Sequence, residues 1–182
     1  DYPVLRGHNE KDYGQYDHLE LIFGASGNGV LYKREIFDVI GFFDEDFFAY
    51  HEDIDLNFRM QLTGLKCLYN PKAKLYHKGG ATSKKIPGLH LYLSEKNFSA
   101  IVIKNYPANL LGKNFLQINF SRFKFYLGFI KRKNPVNFFY CLRGFLKGII
   151  DIPVNLKKRK SIQSKVTVDS SYIVSLQEGH KI

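Results

Sequence analysis

The sequence predicts an α/β chain that ends in amphipathic helices, and three features carry that prediction. In the first half, short apolar runs bounded by Gly, Pro and Asn alternate with helical patterns. Between Glu52 and Leu62, apolar residues recur at four-residue spacing, which predicts a helix. Beyond Pro87 the chain changes to longer stretches that combine aromatic and aliphatic residues with many cations.

The first half is predicted to hold short strands and two helices. The strand candidates are residues 19–23, 66–69 and 73–77. The first of them enters a turn-rich run at residues 24–29. Residues 33–40 predict a short helix that Gly41 ends, as a glycine after a helix often does. The second helix begins with acidic residues, which favour a helix N-terminus, and Gly64 stops it.

The second half is predicted to be helical and basic. The predicted helices are residues 89–106, 115–130 and 136–150, followed by a basic run at residues 157–160 and a polar tail with one weak strand at residues 172–176. No apolar run is long enough to predict a membrane span. Residues 136–150 place apolar side chains on one face and cations elsewhere. That face fits an interfacial membrane helix or a helix packed against other protein, and both interpretations stay open.

Composition limits the class of protein. Hydrophobic residues make up 45% of the chain, which excludes a disordered protein. Cys67 and Cys141 lie far apart without a partner motif, so they predict a reducing compartment and neither a zinc site nor a disulfide framework. The chain starts at Asp1, without Met or an apolar signal segment, and we therefore expect it to be the C-terminal part of a longer protein.

Charge is unevenly distributed along the chain. Residues 1–83 hold 9 Lys and Arg against 13 Asp and Glu, a net charge of −4. Residues 84–182 hold 18 against 4, a net charge of +14. This asymmetry predicts an acidic region that carries the site and a basic region that faces anions.

Residues 41–59 interleave carboxylates with aromatic residues. Such a segment folds against other residues while it holds charge in a cleft, which is typical of a site of chemistry. At the start of the second helix, Glu52 and Asp53 are candidates for a general base that takes a proton from a hydroxyl nucleophile. The alternative is a helix N-terminus that simply favours acids. A calcium loop is excluded, because the spacing lacks the EF-hand glycine.

Two further features are ambiguous by themselves. His77 could bind a metal or a phosphate at the end of a predicted strand, or it could be an ordinary surface histidine. The glycines of residues 24–29 let backbone approach a ligand. They form neither a P-loop, because no Gly-Lys-Ser/Thr follows, nor a dinucleotide fingerprint.

Taken in order, these pieces resemble the inverting glycosyltransferases of family 2, especially the rhamnosyltransferase-like branch. The resemblance covers residues 14–106. Its motifs are GQYD from Gly14, GASGNGVLYKREIF from Gly24, GFFDEDFFAYHEDIDLNFR from Gly41, Gly64, NPKA from Asn70, HKGGATS from His77 and LYLSEKN from Leu91.

The resemblance implies a GT-A fold, which is a Rossmann-like α/β domain that binds a nucleotide sugar. By motif position, Asp53 matches the catalytic base and Glu52 the acidic residue before it. Asn28 and Gly29 match the loop that lines the donor-sugar pocket, and His77 matches a contact to the divalent metal or the diphosphate. Arg59 matches a structural position, paired with Asp55.

The resemblance also implies a cofactor. The family binds a divalent metal, Mg²⁺ or Mn²⁺, through an Asp-x-Asp motif in the half that holds the nucleotide. The Asp-x-Asp triplets of this sequence, Asp44–Asp46 and Asp53–Asp55, lie within the run that carries the candidate base. The nucleotide-binding half and its metal motif are not found here, and we expect them in a preceding half. The Gln-x-x-Arg-Trp motif of processive synthases is also absent, as is any Trp, which favours transfer of a single sugar.

The implied function is inverting transfer of one sugar from a nucleotide-sugar donor to a lipid-linked or cell-surface glycan acceptor, in cell-envelope polysaccharide biosynthesis. Residues 1–88 would be the C-terminal half of the catalytic domain, 89–160 a basic extension on the cytoplasmic face of the membrane, and 161–182 a tail. We do not expect this segment alone to be active.

The alternative function is a non-catalytic basic module that binds an anionic membrane. The acids and aromatics of residues 41–59 argue against it, because a binding module does not require them. Nucleic acid is not an expected partner, because no recognised binding motif appears.

Overall fold

The computed structural model describes residues 5–78 and 86–178, which form seven α-helices, one 3₁₀ helix and a two-stranded sheet. The helices are α1 (Ile36–Ile40), α2 (Glu52–Leu62), α3 (Leu89–Asn105), α4 (Ala108–Lys131), α5 (Pro135–Ile150), α6 (Ile152–Gln163) and α7 (Ser170–Glu178). The strands are β1 (Glu20–Ile22) and β2 (Cys67–Tyr69), and the 3₁₀ helix spans Glu45–Phe47. The bounds of α2 are those that the sequence predicts.

The sheet is smaller than the sequence predicts. Strands β1 and β2 pair in antiparallel fashion, with Leu21 opposite Leu68. Residues 73–77 are coil and not the predicted strand. They have no described strand beside them, and Leu75 instead lies against Gly29. The described residues are therefore mostly helical, and a Rossmann-like sheet is not among them.

Helix α2 lies at the centre of the first half. Every residue from Asp55 to Leu62 is buried, so the helix is enclosed on all sides. Leu56 and Met60 pack on Ile40 of α1, while Phe58 and Leu62 join the main core. Burial of apolar side chains on both faces holds this helix in place.

The polar residues of α2 are buried because they bind the backbone of the surrounding segments. Asn57 donates to the carbonyl of Ala25 (2.8 Å). Gln61 Nε2 donates to the carbonyl of Phe23 (2.7 Å), just after β1. Arg59 donates to the carbonyl of Ile40 (2.6 Å), and its Nε also pairs with Asp55 (3.0 Å), as predicted. These bonds satisfy buried polar groups and fix the adjoining loops to α2.

The second half is built around α3. Helix α5 crosses it closely at two glycines: a Cβ at Gly144 would lie 2.4 Å from the carbonyl oxygen of Tyr92, and a Cβ at Gly148 would lie 2.5 Å from Ser99 Cβ. Arg122 of α4 pairs with the buried Glu95 of α3 at 2.9 Å. Small residues thus set the approach of α5 to α3.

The residues predicted as a tail take part in the core. Residues 170–178 form helix α7 and not the predicted strand, and Ile173 is fully buried in the main cluster. The Asp169 carboxylate accepts a hydrogen bond from the N–H of Ser171 (2.7 Å), which caps the start of a helix. This cap outweighs the preference of the β-branched Ile173 and Val174 for a strand. The N–H of Thr167 donates to the carbonyl of Leu62 (3.0 Å), which ties this segment to α2.

Candidate functional site

The Asp53 carboxylate is held in a fixed orientation at the start of α2. Its Oδ2 accepts a hydrogen bond from the N–H of Gly27 (2.8 Å), and its Oδ1 accepts one from the N–H of Ile54 (2.8 Å). A carboxylate oxygen has about two acceptor positions. Each oxygen of this half-buried group therefore retains a position for another donor, such as the hydroxyl of a substrate.

The glycine-rich run and the acidic helix start form one site. The bond from Gly27 to Asp53 joins two motifs that lie 26 residues apart. Gly24 is required by the fold, because a Cβ there would lie 2.3 Å from Cγ of Asn57. A side chain at Gly29 would likewise meet Leu75 at 2.2 Å. The turn can therefore follow α2 closely only without a side chain at Gly24. At Gly29 the contact is the end of the half-exposed Leu75 side chain, which can move aside.

Four of the predicted site residues lie in this region. Asn28 and Gly29 are exposed in the turn that directly follows Gly27, and the N–H of Gly29 donates to the carbonyl of Ser26 (3.0 Å). Glu52 and Asp53 are adjacent at the start of α2.

Unpartnered polar atoms lie beside Asp53. Among the described residues, Glu52 Oε2 and His51 Nδ1 are buried without a hydrogen-bond partner, as is the hydroxyl of Tyr32. Polar atoms buried in this way are costly unless something binds them. Together they place a carboxylate oxygen, an imidazole nitrogen and a phenol hydroxyl without partners near the Asp53 carboxylate.

Burial shifts the pKa values of these groups. It raises the pKa of Glu52, with the charge of Asp53 acting in the same direction, against a backbone hydrogen bond that lowers it. Burial also lowers the pKa of His51, against the charges of Asp53 and Glu95. Burial, together with the charges of Asp53, Cys67 and Glu52, raises the pKa of Tyr32 to about 12. Tyr32 and His51 are therefore neutral at pH 7, and the Tyr32 hydroxyl is a donor.

His77 has no hydrogen bond or ion pair with these groups among the described contacts. It is exposed in coil and not at the end of a strand, so the structural basis of its prediction is wrong. The glycines that follow it, Gly79 and Gly80, lie outside the described residues. Within residues 5–78 and 86–178, no three His, Cys, Asp or Glu side chains cluster in a way that could hold a metal ion. The described residues therefore do not form a complete metal site.

The loop that leads into α2 is held by charges from the second half. Lys104 of α3, fully buried, pairs with Asp44 and with Asp55 (2.9 Å). Lys158 of α6 pairs with Asp44 and with Asp46 (2.7 Å). Burial alone would raise the pKa of Asp44, but the hydrogen bonds and charges of the two lysines lower it to about 2.

Several residues that shape this site are absent from the sequence-based prediction. Asn57 and Asn97 bind the backbone of the two loops that flank Asp53, and Tyr32 contributes an unpartnered hydroxyl. Asn97 belongs to the LYLSEKN run that carries part of the family resemblance. Its place in that run is the sequence feature that could have identified it. Nothing in the spacing of Asn57 or Tyr32 points to these contacts.

Comparison with known proteins gives a partial match. Curated relatives include the N-acetylglucosaminyl-diphospho-decaprenol L-rhamnosyltransferase of two Mycobacterium tuberculosis strains, CDC 1551 / Oshkosh and ATCC 25618 / H37Rv, each 35% identical over 72 residues. Those residues make up 40% of this chain and 24% of the relative, so the match spans about a quarter of the relative's length.

Two other comparisons find no match. No protein-family model matches the chain, and no solved structure does. The chain is therefore similar to a glycosyltransferase over a minority of its length, and membership of family 2 stays a prediction.

Proposed function

We propose that this chain supplies the catalytic base and part of the donor-sugar pocket of an inverting glycosyltransferase that transfers a single sugar. The observation that carries the proposal is the hydrogen bond from Gly27 to Asp53, because it joins the motif assigned to the base with the motif assigned to the sugar pocket. The partial similarity to a rhamnosyltransferase supports a sugar as the transferred group.

In this mechanism Asp53 takes the proton from an acceptor hydroxyl. The oxygen then attacks the anomeric carbon on the face opposite the nucleoside diphosphate. The new C–O bond forms as the bond to the diphosphate breaks, and the diphosphate leaves with the electron pair, so the anomeric configuration inverts. General-base catalysis of this kind typically contributes ~10²–10⁴-fold to the rate.

The neighbouring groups have positioning roles. The backbone N–H groups of Gly27 and Ile54 fix the direction of the Asp53 carboxylate. Asn28 and Gly29 line the donor sugar. Glu52 lies directly before the base, and its raised pKa favours a role as a hydrogen-bonding carboxyl group over a second base.

A divalent metal, Mg²⁺ or Mn²⁺, remains part of the proposal as the partner of the donor diphosphate. The described residues do not form its site. His77 is a candidate for one ligand or for a diphosphate contact, and the family's metal-binding Asp-x-Asp motif is expected in a preceding half. No step of the mechanism above depends on the metal.

We further propose that the reaction takes place at an anionic membrane surface on the cytoplasmic side, where a lipid-linked acceptor would be found. Helices α4 and α5 expose large apolar side chains that are at least half accessible: Phe115, Leu116, Phe120, Phe123, Ile130, Val136, Phe139, Leu146 and Ile150. From residue 106 to residue 150 the chain carries eight Lys and Arg and no Asp or Glu. Exposed aromatic and aliphatic groups flanked only by cations match the chemistry of an anionic lipid interface.

The contacts of α6 reduce the number of cations that are available to bind lipid. Of the basic run at residues 157–160, Lys158 pairs with Asp44 and Asp46, and Arg159 donates to the carbonyls of Ile103 and Tyr106 (both 2.7 Å). These two cations are therefore used within the fold. Exposed cations that remain available to lipid are Lys131, Arg132, Lys133, Lys157 and Lys160. None of the helices in residues 5–78 and 86–178 has the length and hydropathy of a membrane-spanning segment.

The proposed reaction is tested by product analysis. The intact protein is incubated with nucleoside-diphosphate sugars and a polyprenyl-diphosphate-linked N-acetylhexosamine, and the product linkage is determined by NMR. We expect release of nucleoside diphosphate and one added sugar whose anomeric configuration is opposite to that of the donor. A product with the donor's configuration would contradict the single displacement, and addition of many sugars would contradict single transfer.

A further inference from the structure

The side chain of Asn97 binds the loop that precedes the candidate base. Asn97 lies on α3 and is fully buried. Its Nδ2 group donates to the carbonyls of Phe47 (3.1 Å), Ala49 (2.8 Å) and Tyr50 (2.7 Å). Its Oδ1 has no partner among the described residues, so the role of this amide is to donate.

The bound loop has an unfavourable backbone conformation. Phe48 has φ 61° and ψ −58°, and the N–H of Ala49 donates to the carbonyl of Phe47 at 2.7 Å. These values describe a γ-turn of the rare, strained kind. Tyr50 and His51 follow with φ 67° each, in the left-handed region that side chains disfavour. Such a turn persists only where its surroundings impose it.

This turn determines where α2 begins. His51 is the N-cap of α2, and no side chain caps the helix there. The N–H of Asp55 donates to the carbonyl of His51 (2.9 Å), which makes the strained residue part of the first helical turn. Asp53 is two residues beyond His51, so the direction of its side chain depends on the path of residues 47–51.

We propose that Asn97 is a positioning residue for Asp53. By binding three carbonyls of the strained turn, Asn97 holds the first turn of α2 in the orientation in which the Asp53 carboxylate reaches the N–H of Gly27. This proposal deepens the proposed function and rests on it for the catalytic consequence. Whether the hydrogen bond between Gly27 and Asp53 depends on Asn97 can be measured in the absence of any transferase activity.

Asn105 provides a matched control on the same helix. It is also fully buried, and its Nδ2 donates to Asp55 Oδ1 (2.9 Å). Asp55 keeps Arg59 and Lys104 as partners when that bond is lost. Asn97→Ala and Asn105→Ala therefore remove the same group from equally buried positions, and only the first releases the turn before α2.

The first readout is the backbone amide signal of Gly27 in ¹H–¹⁵N NMR spectra of the full chain. In the parent this signal should lie downfield and exchange slowly with solvent, because the Gly27 N–H binds the Asp53 carboxylate. We expect Asn97→Ala to move it upfield and to speed its exchange with solvent. Asn105→Ala should leave both unchanged. An unaltered Gly27 signal in Asn97→Ala overturns the proposal.

The second readout is steady-state kinetics of the intact protein, measured below the melting temperatures of both variants. We expect Asn97→Ala to lower kcat by about 10–100-fold with the donor KM changed less than threefold, and Asn105→Ala to leave both within threefold. Equal losses in the two variants would show a general structural role and overturn the proposal. If Asn97→Ala does not fold, Asn97→Ser, which keeps one donor, takes its place and should give intermediate changes.

The two readouts separate this proposal from the proposed function. An upfield shift and faster exchange of the Gly27 signal in Asn97→Ala, in a protein that transfers no sugar, support positioning by Asn97 and contradict the transferase. Transfer that depends on Asp53 but not on Asn97, with an unchanged Gly27 signal, supports the transferase and overturns the positioning role.

Discussion

At the scale of single residues, the sequence predicted the position of the candidate acids in a helix but not the residues that contact them. The assignment of Glu52 and Asp53 to a helix start agrees with the structure, because acids in a first turn are a local signal. The contact of Asp53 with Gly27 and the contacts of Asn57 and Asn97 join residues far apart in sequence. Such contacts depend on tertiary packing, which residue spacing does not encode.

Asp44 allows a prediction about acid stability. Its pKa is about 2 in the folded protein, below the ordinary 3.8, because Lys104 and Lys158 bind it. A lowered acid pKa stabilises the fold above the ordinary value, and this contribution is lost as the pH falls from about 4 to about 2. We expect Asp44→Asn to be less stable than the parent at pH 7 by ~2 kcal/mol, because the pairing that lowers the pKa of Asp44 is lost while Lys104 keeps Asp55 as a partner.

Urea unfolding at several pH values checks this prediction. The free energy of unfolding of the parent should fall more steeply between pH 4 and pH 2 than that of Asp44→Asn. Asp38→Asn is the control, because Asp38 is exposed on α1 and forms no ion pair among the described residues. Parallel curves for the parent and Asp44→Asn would refute the role of the two lysines.

At the scale of elements, the sequence predicted those helices whose apolar residues recur regularly and whose ends are marked by Gly or Pro. Apolar spacing and Gly64 define α2, and Pro107 marks the end of α3. Two short elements were predicted wrongly. Residues 73–77 are a short run with Leu and Tyr that lacks a neighbouring strand. Residues 172–176 hold the β-branched Ile173 and Val174 but follow a helix-capping Asp169, so local composition misled in both places.

The crossing of α3 and α5 gives a prediction about packing. A Cβ at Gly148 would lie 2.5 Å from Ser99 Cβ, whereas a Cβ at Gly112 of α4 has nothing within 4 Å. We expect Gly148→Ala to destabilise the protein by ~1–3 kcal/mol through overpacking. Gly112→Ala should instead be neutral or stabilising by up to ~1 kcal/mol, because alanine favours a helix.

Thermal and urea unfolding of the two glycine variants separates packing from helix propensity. Opposite signs of the change in unfolding free energy are the expected result. Stabilisation by Gly148→Ala would mean that α5 does not approach α3 as closely as described.

At the scale of the whole molecule, some cations of the basic half bind the acidic half and others remain exposed. The sequence predicted an acidic half and a basic half with different partners. The structure shows that part of the basic half binds the acidic half, because Lys104 and Lys158 pair with Asp44, Asp46 and Asp55. The exposed cations of residues 131–133 are not used in this way among the described contacts, and they remain available to an anionic surface.

Liposome co-sedimentation tests the membrane surface. We expect the intact protein to bind vesicles that contain phosphatidylglycerol, and to bind less as salt rises. Changing Lys131, Arg132 and Lys133 to Gln should weaken binding, at about 1 kcal/mol for each charge near the surface. Changing the exposed Lys72, Lys74 and Lys78 to Gln is the control for loss of three charges. Equal binding to neutral and anionic vesicles, or to neither, would contradict the proposal.

The central claim is that Asp53 is the general base, and the turnover of Asp53→Asn in the intact protein tests it most directly. The amide keeps the size of the side chain but cannot take the proton. We expect kcat to fall by ~10²–10⁴-fold while the donor dissociation constant, measured by calorimetry, stays within threefold. Asp38→Asn, with the same change on exposed α1, should keep parental turnover. Turnover of Asp53→Asn within tenfold of the parent would contradict the claim.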